Sequence, residues 1–157
     1  MLDINNKESK IIIKNSSNCE VIIDYDKKEI SIWDLLIDMP WEYEKSWILL
    51  EAKKYKENMF YNLTIEKKHI LVFFTDNFEI TEELVDFFWN IDILFIPWTK
   101  EAIKIFENIE AKIVIPFWEA KDIFLQNLWQ HIEEKENYKI KWDVENLETE
   151  FVNLAIK

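Results

Sequence analysis

Few side chains in this sequence have the chemistry of a catalytic or metal site, and they lie far apart. The candidates are two histidines, His69 and His131, one cysteine, Cys19, and Asp76, a carboxylate at the end of an apolar run. A hydrolytic zinc site gathers several imidazoles and carboxylates around one open water position, which two isolated histidines do not supply. His69 opens a strand beside Lys67 and Lys68 and reads as a surface residue; His131 stands in a helical run beside Glu133 and Glu134 and reads as an exposed or half-buried helix residue. With no histidine near it in sequence, Cys19 reads as a small buried apolar residue on a strand over 19–24 rather than as a nucleophile. Asp76 has two readings. It is a turn or cap residue leading into Thr81, or a lone carboxylate for a weakly held Mg²⁺. Asp24 and Asp26 could supplement it, although Asp-Tyr-Asp at a strand end is usually a solvated turn.

The elements that must position these groups centre on residues 90–117. Residues 91–96 and 112–115 are continuous aliphatic runs, too short for helices and too apolar for strands with one wet face. Between them Thr99 can cap a helix whose residues Ala102, Ile103 and Phe106 turn inward while Lys104 and Glu107 turn outward. This is a βαβ unit with a parallel pair. Pro97 and Pro116 end its strands at the rim where open α/β sheets carry their ligands. Upstream, runs at 10–14, 19–24, 29–32, 35–37 and 46–52 predict an antiparallel meander, followed by strands at 59–65 and 69–74. Thr81 opens a helix over 81–88, with Glu82 and Glu83 at its positive end. A longer helix is predicted over 120–136, then strands at 138–141 and 150–156. The pattern reads as one layered α/β domain over 1–157, with no linker or repeat.

Composition narrows the function classes. The chain carries 31 acidic residues against 19 basic ones, all lysine, for a formal charge of −12. Such a surface without arginine forks repels phosphate backbones, so nucleic acid is not an expected partner. A single cysteine excludes an internal disulfide and fits a reducing compartment. The first six residues do not form a signal peptide and no apolar run reaches the ~20 residues of a membrane span, so a cytoplasmic protein without a membrane partner is expected. A partner, whether small molecule or protein, and the oligomeric state are left open.

A chain of this length should hold about 11 glycines at ordinary usage near 7%. This one holds none, but has eight tryptophans. Their positions are those of glycines. Trp89 follows the 81–88 run in the C′ slot, and Trp41 follows Pro40 at the i+2 place of a type II turn. Trp98 and Trp118 sit just past the strand-ending prolines, while Trp33 and Trp142 precede Asp34 and Asp143 between strand-like runs. The expectation is that most or all of the eight stand where the natural protein has glycine, through a stop codon that some bacterial lineages read as glycine. A tryptophan-rich core is the alternative, and it leaves the missing glycines unexplained.

Residues 37–47, IDMPWEYEKSW, resemble the IDxPGEYExxG segment of small metallo-β-lactamase-fold hydrolases related to the ascorbate-phosphate lactonases, with Trp in both glycine places. ILVFFTDNFEIT at 70–81 is similar to that family's strand and His-x-Gly-Asp segment, and 92–97 and 112–116 resemble its DVLxxP and PKIVIPxH strands. The resemblance runs from about Asp34 onward and implies an αββα sandwich, shortened at its N-terminal side. It implies structural roles for Pro40, Trp41, Glu42, Tyr43, Glu44, Trp47, Pro97 and Pro116, and a divalent metal held largely by a His-x-His-x-Asp-His loop. That loop is missing. Of the family's ligands Asp76 matches, while Phe117 and Trp118 stand where the final histidine belongs. The residues therefore point to a pseudoenzyme without a cofactor, kept for binding or assembly. The alternative is a hydrolase of a phosphate ester or lactone with a reduced carboxylate site around Asp76.

Overall fold

The computed structural model of the chain describes residues 1–97, 99–117, 132–141 and 148–157. The N-terminal part forms β1 (Leu2–Lys7), β2 (Lys10–Lys14), β3 (Glu20–Asp24), β4 (Glu29–Ile32) and β5 (Leu35–Ile37). These strands alternate apolar and polar residues, so each presents one greasy face. Ile11, Ile13, Val21, Ile23, Ile30 and Ile32 are all buried. With β13 (Asn137–Ile140) on the far side of β1, they make a six-stranded sheet in the order β13-β1-β2-β3-β4-β5, antiparallel throughout. The first strand was not expected from its polar sequence. Leu2, Ile4 and Asn6 nonetheless all face inward at period two.

A second sheet contains β6 (Glu42–Lys45), β7 (Ile48–Tyr55), β8 (Asn58–Ile65), β9 (Lys68–Phe73), β10 (Ile93–Pro97), β11 (Ile113–Phe117) and β14 (Glu150–Phe151). Its order is β14-β11-β10-β9-β8-β7-β6. The β6 to β9 half is a meander, and β9, β10, β11 and β14 run parallel. The parallel pair is as expected, with Ile93 opposite Ile113 and Ile96 opposite Pro116. Pro116 does not end its strand, which continues to Phe117. A short parallel pair, β12 (Glu134–Lys135) with β15 (Asn153–Leu154), completes the described strands.

Two cores result. One lies between the sheets and contains Ile4, Ile13, Ile30, Ile48, Leu63, Ile93 and Ile115 among others. The second lies on the outer face of the mixed sheet, where Phe60, Phe73 and Leu94 are covered by α1 (Glu82–Val85) and α2 (Lys100–Phe106). These two short helices overturn the expected α/β class with helix layers on both faces of an αββα sandwich. The described chain is mostly strand, in one antiparallel and one mixed sheet. On the outer face of the antiparallel sheet polar residues such as Asp3, Asn5 and Ser31 stand beside half-buried Ile12 and Ile22.

The helices also differ in detail. In α2, Thr99 caps as expected, its Oγ1 accepting from the Ala102 amide at 3.2 Å. Ile105 joins Ala102 as the buried residue of that helix, with Ile103 and Phe106 packed at its edge. In contrast, α1 stops at Val85, and the Thr81 hydroxyl is buried without a partner. The Phe88 amide still donates to the Leu84 carbonyl at 3.0 Å, and Phe87 and Phe88 both turn into the outer core. The predicted 120–136 helix falls outside the described residues except at its end, and there Glu134–Lys135 is strand.

One carboxylate fastens three loops. Glu66, at the tight turn between β8 and β9, accepts from the Ser16 amide at 2.6 Å, from the Ser16 hydroxyl and from the Met1 ammonium. Partial burial on its own would raise its pKa. The bonds from Met1 and Ser16 outweigh that effect and hold it below the ordinary carboxylate value. A group with a depressed folded pKa contributes stability above its unfolded pKa, and that contribution fades as pH falls through the folded value. Glu66→Gln is therefore expected to cost on the order of 1 kcal/mol at pH 7. Urea midpoints of the two proteins should converge below about pH 4, near and under the unfolded carboxyl pKa. A gap that stays constant across that range would show that the ionised carboxylate contributes nothing.

Candidate functional site

The rim where β9, β10 and β11 end is the place to look for chemistry, because parallel strands carry their ligands at their carboxyl ends. This rim is filled with aromatic rings. Phe117, the last residue of β11, is fully buried and stacks on Tyr25 with centroids 5.4 Å apart and planes 18° from parallel. On its other side Phe74, just past β9, lies 5.9 Å away, and Tyr61 of β8 meets Phe74 edge-on at 5.9 Å. All four rings belong to the core between the sheets.

Their polar tips are also engaged. Tyr25 donates its hydroxyl proton to the Glu8 carbonyl at 2.7 Å. Burial, with the Glu29 carboxylate and Tyr43 nearby, pushes the Tyr61 phenol up to about 12. It keeps its proton at neutral pH and cannot act as a base there.

Asp76 lies two residues beyond Phe74, half-buried in a turn closed by the Asn77 amide donating to the Thr75 hydroxyl at 3.2 Å. Among the described residues, no group of three or more histidine, cysteine, aspartate or glutamate side chains is placed to hold a metal ion. Asp24 is not brought into a site with it. Its carboxylate accepts from the Lys27 amide at 3.0 Å and closes its own hairpin turn, beside an exposed Asp26. His69 sits half-buried on β9, with its backbone amide on the Asp92 carboxylate at 2.8 Å and its ring 3.4 Å from the Thr64 hydroxyl. His131, Trp98 and Trp118 lie outside the described residues.

In the segment 37–47, Glu42–Lys45 form the edge strand of the mixed sheet. Pro40 and Trp41 are exposed, the Trp41 carbonyl accepts from the Ala52 amide at 2.9 Å, and the Tyr43 hydroxyl donates to the Met39 carbonyl at 3.1 Å. Glu42 and Glu44 point to solvent from the edge strand β6. Pro97 is buried at the end of β10, opposite Phe117.

Two depressions lie away from the strand ends. One, of about 340 Å³, is on the outer face of the mixed sheet, between Glu42, Glu51, Asn62, Thr64 and His69. The other, of about 460 Å³, is at the opposite ends of β10 and β11, lined by Trp89, Asp92, Asn108, Glu110 and Lys112. Sequence reasoning did not find either. Each is assembled from neighbouring elements, within 42–69 and within 80–112, but their residues carry no common spacing.

No protein-family model matches the chain, and no curated protein is similar to it. Among solved structures it is similar to a Thermotoga maritima protein described as a Zn-dependent hydrolase of the metallo-β-lactamase superfamily. The TM-score is 0.74 at 15% identity, over 99% of this chain and 100% of that one. At that identity the likeness is one of fold: the chain has the fold of the metallo-β-lactamase superfamily.

Proposed function

We propose that this chain is a pseudoenzyme of the metallo-β-lactamase fold, kept in the cytoplasm to bind a small molecule or protein partner or to support an assembly, and not to hydrolyse. The observation that carries the reading is the stack Tyr25–Phe117–Phe74. It occupies the rim where a hydrolase of this fold would need imidazoles and an open water position. A buried ring in that place supports the reading, because it takes up space that a metal-bound water would need. A relation to the ascorbate-phosphate lactonases belongs to this reading; it rests on the segments 37–47, 70–81, 92–97 and 112–116, and of the first, Glu42–Lys45 builds a sheet edge here.

Protein purified without chelator is expected to carry no stoichiometric transition metal by elemental analysis. Added Zn²⁺ or Mg²⁺ should leave its thermal midpoint in place, since an ion bound only by the native state would raise it. Asp76→Asn should change stability by no more than about 0.5 kcal/mol, as for an ordinary surface substitution. Stoichiometric metal that is lost in Asp76→Asn, together with turnover of a lactone or phosphate ester, would instead establish a reduced hydrolytic site around Asp76.

A further inference from the structure

The aromatic residues of this chain fall into two populations that a single hydrophobic driving force does not produce. Each described phenylalanine is buried or partly buried, and eight of them form core: Phe60, Phe73, Phe74, Phe87, Phe88, Phe95, Phe117 and Phe151. The four described tryptophans do the opposite. Trp33 is 54% exposed, Trp41 70%, Trp47 85% and Trp89 74%. Indole is large, apolar and on average highly buried in folded proteins. Four such side chains in solvent, beside an intact phenylalanine core, lack the usual reason for a tryptophan.

The backbone adds an independent observation. Trp33 has φ of 55° and Trp47 φ of 65°, in the left-handed region that glycine enters freely; eight other described residues, among them Lys28, Lys56 and Glu66, share that region, but Trp33 and Trp47 are its bulkiest occupants. Trp33 stands between β4 and β5, and Trp47 between β6 and β7. The indole of Trp33 is also crowded, its Nε1 lying 2.6 Å from the buried Cys19 Sγ. That is shorter than an ordinary N–H···O bond, although sulfur is the larger atom.

We propose that glycine, not tryptophan, occupies positions 33, 41, 47 and 89 and the other four tryptophan positions in the protein that its own cells make, through a stop codon decoded there as glycine. This accounts together for the eight tryptophans, the absence of glycine, the solvent-facing indoles and the two left-handed turns. It does not depend on whether the chain is an enzyme. It does mean that the exposed indoles are not an aromatic binding surface, and that the wall Trp89 gives to the 460 Å³ depression is missing from the natural protein.

The codons give the first test: TGA is expected at all eight positions, and TGG at position 33 or 47 would overturn the proposal. TGA is itself read as tryptophan by some translation systems, so the second test is on the protein from its natural host. The tryptic peptides 29–45 and 46–53 together contain positions 33, 41 and 47, and 69–100 contains 89 and 98. Peptide masses with glycine at each of these places are expected. Tryptophan masses at 33 or 47 would overturn the proposal whatever the codon.

Discussion

Phe117→Ala is expected to remove about 3–5 kcal/mol of stability, the range for truncating a buried aromatic ring. Phe117 is fully buried at the end of the parallel pair, with Tyr25 on one side and Phe74 on the other. Its removal would leave a hole that neither neighbour can fill, because each ring is held by its own strand or turn. A domain of this kind is stable by about 5–15 kcal/mol, so the loss should consume a large part of the total. The measurement is urea unfolding followed by circular dichroism, read as a lower midpoint at an unchanged slope. Phe117→Leu keeps most of the volume and should cost much less. A loss below about 1 kcal/mol for the alanine variant would mean that this rim is not core. Room for a ligand would then exist at the strand ends, and the pseudoenzyme reading would lose its main support.

Trp33→Gly and Trp47→Gly should each do the reverse and stabilise the chain as written. A non-glycine residue held in the left-handed region costs on the order of 1–3 kcal/mol. Glycine gives back about 0.5–1 kcal/mol of that through the extra freedom of its unfolded state. The net gain expected is about 1 kcal/mol per site, or roughly 2–4 °C in thermal midpoint for a chain of this size. The two gains need not add, since the turns are joined by the ion pair between Asp34 and Lys45. Trp41→Gly is the control. Trp41 is not among the positive-φ residues, so strain relief is absent there and the midpoint should stay level or fall. Equal gains at all three positions would point to solubility and not to backbone strain. A fall at 33 and 47 would mean that their indoles make contacts worth more than the strain.

The expected turns show how far local reasoning goes. Placing a glycine-like turn at Trp33 agrees with its left-handed φ, whereas Trp47, equally left-handed, was read locally as the start of a strand and as glycine only through the resemblance. For Trp41 and Trp89 the expectation was wrong, because the strain sits elsewhere. Helix α1 ends early at Val85, so the left-handed residue after it is Asn90 and not Trp89. Phe87 and Phe88 then enter the outer core, a long-range packing that a local capping pattern does not contain.

Taken by itself, the sequence determined the N-terminal meander, the parallel pair with its Thr99-capped helix, and the burial of Cys19. Each of these follows from short-range periodicity, turn chemistry or a simple inventory of side chains. Only the tertiary structure decided that Leu2–Lys7 is a central strand, since its two apolar residues mean little until β2 and β13 pair on either side. It also decided that the described chain is mostly strand and not a helix-rich α/β sandwich, since the described helices α1 and α2 are short and cover only one face of the mixed sheet. The filling of the rim was also out of reach. Tyr25, Tyr61, Phe74 and Phe117 come from strand ends and turns far apart in the chain, and only the packing of two sheets brings their rings into one stack.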